Sequence, residues 1–289
     1  MKFDRGEAKL AARESMARNK PSPLLAALVH IVLVMAVSGA LDLLVQDPVQ
    51  EAMSYLQWGY RWDEIVQFVF LSDPAALGLF GTAALLRGVF QLLMGFGFTS
   101  YALGMARNRQ PSLARLFDGF PRLLQVVGLG LLTGLFTTLW ALALLIPAGG
   151  VVLIVFHLSG SQDAQAALTV SVFLAMLFMA ARTAVGYRYR LAPFFLADDP
   201  DCTPFLALRR SRETMVGWKL ELFFLDLSFL GWILLLILTG GVLGVWVNPY
   251  TEGTMANFYD AVRTPDAKVE TGAYTGGIYG TPPQDPGPF

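Results

Sequence analysis

The chain alternates long apolar runs with short charge-rich connections, and that alternation predicts its elements. Crossing a hydrocarbon core of about 30 Å at 1.5 Å per residue takes roughly 20 residues. The first run, 23–46, reads PLLAALVHIVLVMAVSGALDLLVQ. Others fall at 75–106, interrupted by Arg87, at 123–146, ending at Pro147-Ala148-Gly149-Gly150, and at 166–187, with Arg182 in its last turns. The final stretch, 220–247, is longer than one crossing needs and contains Thr239-Gly240-Gly241, a turn signal. It divides into a fifth helix at 220–238 and a sixth at 242–262. The sixth carries Asn248, Pro249, Glu252 and Asn257, so it should be shielded by other helices. Five crossings, with everything after Asn248 outside, is the alternative.

The polar pieces between the runs complete the picture. Residues 1–22 predict a helical lead-in and 191–219 an interfacial segment, whereas 263–289 is Gly/Pro-rich and reads as a disordered tail. The fold class is therefore all-α, a polytopic integral membrane helix bundle spanning 23–262. The lead-in includes Asp4, Glu7 and Glu14 and runs into a full-length apolar segment, so it reads as a retained anchor and not a cleaved signal.

Composition agrees and excludes several function classes. The chain is 55% hydrophobic and only 15% charged, where globular proteins carry about 25% charged residues. A net charge of −1 argues against a nucleic-acid partner. One cysteine, Cys202, and two histidines, His30 and His157, leave no ligand set for zinc or for Cys–His chemistry. HExxH, P-loop, GxSxG and GxGxxG motifs are absent. No catalytic, cofactor-binding or metal site is expected. Asp198-Asp199-Pro200-Asp201 could attract a cation, but it reads better as a solvated turn.

Charge placement sets the orientation, because cytoplasmic loops concentrate Lys and Arg. Basic residues cluster before the first helix, between helices two and three, and between four and five. The loop 47–74 holds one, Arg61, against Asp47, Glu51, Asp63, Glu64 and Asp73. Both termini are expected in the cytoplasm.

From Tyr187 onward several strings carry a resemblance: Ala197-Asp198-Asp199-Pro200, Ser211-Arg212-Glu213-Thr214-Met215, Leu225-Asp226-Leu227-Ser228-Phe229 with Gly231-Trp232, and Pro249-Tyr250 with Phe258-Tyr259. Leu139-Trp140 and Ile146-Pro147 fit the same pattern, and Ala11-Ala12-Arg13-Glu14 fits it more weakly. In these the chain resembles the domain of unknown function 975 family of bacterial integral membrane proteins. The resemblance implies a bacterial cytoplasmic-membrane protein and favours six helices. It implies no activity. The chain departs from the family pattern after Pro147, where an apolar stub and a polar loop precede the next helix.

Ionisable residues at membrane depth are the default functional candidates, each costing roughly 2.5–3.5 kcal/mol at a helix centre. Counting depth along the predicted helices suggests two pairs, Arg87–Glu252 and Arg182–Asp226. They read as clasps orienting helices or as steps on a solute path, with the clasp ahead. Between Thr203, a fair N-cap, and Lys219, Phe205, Leu208 and Met215 share one helical face. This reads as an amphipathic helix on the inner leaflet, with Arg209, Arg210, Arg212 and Lys219 as candidate contacts for anionic lipids. The functional expectation is a non-enzymatic scaffold or accessory protein acting through membrane lipids, a membrane-protein partner or a second copy. A small transporter with the buried charges on its path is the alternative.

Overall fold

The computed structural model describes residues 3–45, 47–158 and 164–263, and among these no strand occurs. The expected disordered tail and the loop carrying Asp163 fall outside the described residues. Helix α1, Arg5–Arg18, starts at Asp4, whose carboxylate accepts from the N–H groups of Gly6 (2.7 Å) and Glu7 (3.2 Å) and so satisfies two otherwise unpaired donors. Helix α2, Pro23–Leu44, follows. The next connection is not plain loop: it folds as α3, Pro48–Gln57, α4, Trp62–Ile65, and a π turn, Val66–Leu71, around a small core of Ala52, Ile65 and Val69.

Helix α5, Pro74–Ala106, has 33 residues and α6, Leu123–Leu158, has 36. At 1.5 Å per residue both are about 50 Å long, well beyond a 30 Å core. Helix α6 continues through Pro147, where the sequence suggests an end, and Gly149 sits there against Leu174 of α7, Ala164–Gly186. A proline within a helix removes one donor, and a close neighbouring helix makes that tolerable. The remaining helices are α8, Ala192–Asp198, α9, Pro204–Thr214, α10, Lys219–Leu227, α11, Leu230–Leu238, and α12, Gly244–Arg263.

Among the described residues, five stretches are long and apolar enough to cross a membrane: Pro23–Leu44, Pro74–Ala106, Leu123–Val152, Thr169–Asp198 and Lys219–Leu238. The expected sixth, α12, is not among them. It is shielded, as its polar sequence requires, by α1, α2 and α5. Its most intimate neighbour is the charged lead-in, which runs antiparallel to it. Phe3 meets Phe258 edge-on at 5.0 Å, Asn257 donates to the Ala8 carbonyl at 3.0 Å, and Arg13 lies 5.4 Å over the Tyr250 ring. Gly253 permits the approach, since a Cβ there would press Met105 and meet Ala12.

Three of the four buried clusters gather at this end of the molecule, where α1, the last turns of α5 and the polar helices meet. Here the 107–122 connection folds back on α5. A Cβ on Gly97 would overlap the Leu116 carbonyl, and one on Gly119 would overlap that of Leu93, so both contacts are backbone against backbone. The most apolar windows of the five long stretches are only 6–17% buried by protein.

Candidate functional site

At the charged end, Arg107 caps α5 and ties three helices together. Its Nε and Nη2 donate to the Asp260 carboxylate of α12 at 3.0 and 2.7 Å. Nη1 and Nη2 donate to Asp198 at the end of α8, the latter at 3.2 Å. Tyr259 donates its phenol to Asp198 at 3.1 Å, and Arg263 closes the ring by pairing with Asp198 and with Asp260. Arg107 is 14% exposed and Asp198 18%. Burial alone would lower the Arg107 pKa, but hydrogen bonds and charge from Asp260 and Asp198 outweigh it and raise it. Burial raises that of Tyr259, and the Asp198 carboxylate adds to it.

Beside this network is a cavity of about 370 Å³ lined by Phe195, Asp199, Arg210, Glu213 and Thr214 as well as Asp198, Tyr259 and Arg263. Arg210 pairs with Asp199 at 2.9 Å, which raises the arginine pKa further. Asp198 and Asp199 are thus held by arginines, and no cluster suited to a metal ion occurs among the described residues. Chemically, the site is an electrostatic clasp of alternating charges. It shows no activated nucleophile.

The residues singled out in the sequence are arranged differently from expectation. Arg87 pairs with Asp42 of α2, with side chains 28% and 59% exposed, and not with Glu252. Helices α2 and α5 run antiparallel, which brings positions 42 and 87 to one level near the end of α2. Counting depth on α12 as a full crossing misplaced Glu252, which stands within reach of the Arg190 and Asp226 charges. Burial pushes the Glu252 pKa up, with the Arg190 charge opposing that and Asp226 adding to it. Asp226 is not joined to Arg182 either: its charge acts on Tyr187. Arg182 is exposed and forms no ion pair among the described residues. It lies five residues before Tyr187, about 7 Å higher along α7.

Helix α9 begins as expected, with Thr203 accepting from Leu206 at 3.3 Å and Pro204 in the first turn. Its apolar side is taken by the protein's own core and not by a lipid surface: Ala207, Leu208 and Met215 are buried. Ser211 locks it by donating to the Arg188 carbonyl at 2.9 Å and accepting from Leu191 at 3.2 Å. Phe205, on the expected apolar face, is 63% exposed. Of the candidate lipid contacts, Arg209 pairs with Glu213 and Arg210 with Asp199, while Arg212 and Lys219 form no ion pair among the described residues. The Arg107 network was missed by sequence reasoning. Its one local signal is a charge directly after a long apolar run; its partners lie 91 and 153 residues away.

A family model described as "Protein of unknown function (DUF975)" matches residues 1–266. No curated protein and no solved structure matches the chain.

Proposed function

The chain belongs to the DUF975 family, and from that premise we propose that it is a non-enzymatic scaffold or accessory protein of the bacterial cytoplasmic membrane. Its charged end, with the described ends of the chain, faces the cytoplasm. The excess of Lys and Arg there supports the orientation. The observation that carries the role is the Arg107–Asp198–Asp260–Arg263 ring: its four charges close on one another across three helices instead of lining a route along the apolar spans. Such a layer offers a rigid, polar face to partners, while Arg212 and Lys219 remain available to anionic headgroups.

The test is crosslinking in native membranes, followed by purification in lipid nanodiscs. A stoichiometric membrane-protein partner, or a stable second copy, is the expected outcome. A lone chain that carries solute or proton flux in proteoliposomes would overturn the scaffold reading. One observation favours transport as a second reading: Arg87 and Asp42 pair within two apolar helices. Exchanging them, Arg87→Asp with Asp42→Arg, separates the readings, because a clasp works in either polarity and a path does not.

A further inference from the structure

Helix α1 carries Arg5, Glu7, Lys9, Arg13, Glu14 and Arg18, a set that hydrocarbon does not admit. Yet α1 lies along α12 from Phe258 to the neighbourhood of Trp246. It also reaches α10, which with α11 forms the first arm of a helical hairpin that turns at Gly240–Gly241 and returns as α12. Arg5 pairs with Glu221 at 3.6 Å and covers the Phe224 ring, and Lys9 lies 4.6 Å over Phe229 and 3.4 Å from the Ser228 carbonyl. Whatever depth α1 has, residues 219–229 and 246–263 share it, so both must lie at or outside the membrane boundary.

Only 230–245 remain to enter the hydrocarbon. The two arms meet at Trp232 and Trp246, whose rings are 4.6 Å apart, and the turn between them uses Gly240 (φ 59°) and Gly241 (φ 90°). From Trp232 to Gly240 is eight residues, about 12 Å, less than half of a 30 Å core. Helix α2 gives a level for the returning arm, because Gly244, three residues past the turn, stands against Ile31, eight residues or about 12 Å past Pro23. The tip itself is apolar and uncovered by protein: Ile237 is 70%, Leu238 80% and Val242 75% exposed.

We propose that residues 230–245 dip into the leaflet next to the charged end and turn back without crossing, and that the groove at the hairpin's foot holds the headgroup of an anionic phospholipid of that leaflet. This groove, of about 530 Å³, is lined by Arg13, Met16, Ser22, Leu24, Trp232 and Trp246. Its polar and apolar walls meet where α1 hands over to α2, at headgroup level. Paired tryptophans suit that level. The exposed Arg13 guanidinium, which forms no ion pair among the described residues, suits a phosphate oxygen. The membrane is then crossed by α2, α5, α6 and α7, and the described ends of the chain lie on one side. The inference rests on the chain being a membrane protein and not on the scaffold role.

Spin labels on single cysteines at Leu238 and Val242, in the Cys202→Ala full-length protein in phosphatidylglycerol–phosphatidylcholine vesicles, measure the depth. Access to oxygen and exclusion of a water-soluble nickel chelate, as near the midplane, is expected. Chelate access equal to that of a label at Gln57 would place the tip at the far surface and overturn the proposal. Native mass spectrometry then counts retained lipid. Arg13→Gln should lower phosphatidylglycerol retention about fivefold while Arg13→Lys and Arg18→Gln preserve it. Equal retention by Arg13→Gln would overturn the headgroup site. A missing protein partner would affect neither readout, so failure of the scaffold reading stays distinguishable.

Discussion

Helix α5 is one helix in two surroundings. Over residues 93–106 every position except Gly95 is buried by protein; over 74–92 only Ala83 is. The two parts are similarly apolar, so hydropathy does not separate them. What separates them is the neighbour: close-packed protein for one, and for the other a surface that lipid would cover. In the buried part, small residues admit backbone contacts and each side chain has a fixed place. In the exposed part the chain needs only to be apolar and helical, because lipid exerts no demand for a particular shape.

One glycine from each part gives the largest contrast. Gly97→Val drives a side chain into the Leu116 backbone, whereas a Cβ on Gly88 meets nothing within 4 Å. We expect Gly97→Val to cost more than about 4 kcal/mol and to abolish the folded protein, with Gly88→Val purified in normal yield. Equal melting temperatures in detergent would show that the two halves of α5 are alike.

A smaller effect follows from the arginines at the two levels. Arg107→Gln removes the best-buried cation of the ring, leaves Asp198 and Asp260 to Arg263 alone, and should cost about 2–3 kcal/mol. Arg87→Gln removes a pair whose acid is 59% exposed and should cost under about 1 kcal/mol in detergent. Thermal unfolding followed by tryptophan emission measures both, and the reverse order would relocate the structural centre of the molecule. Next come the leucines: Leu103→Ala, at 5% exposure, should cost about 2 kcal/mol. Leu79→Ala, at 62%, should stay within about 0.5 kcal/mol.

The long apolar runs, the helical lead-in and the Thr203–Pro204 start of α9 are legible in the sequence because each depends on composition or on residues within one turn. The candidate pairs were not. Arg87 meets Asp42 because of how α2 and α5 pack, a relation between residues 45 positions apart that counting along separate helices cannot supply. Likewise, the arginine-rich face of α9 suggests a lipid surface only while its other contacts are unknown. Once Ser211 is bonded to Arg188 and Leu191, the apolar side is spent inside the protein.

Hydropathy by itself determines that this protein is helical and apolar enough to enter a membrane, since transfer free energies and backbone satisfaction depend on local residue content. Charge bias supplies the expected orientation in the same way. The tertiary structure decides which apolar surface faces protein, which arginine holds which carboxylate, and that the least apolar long helix lies against the most charged one. Those outcomes depend on which segments become neighbours, and small residues such as Gly97, Gly119 and Gly253 let them approach.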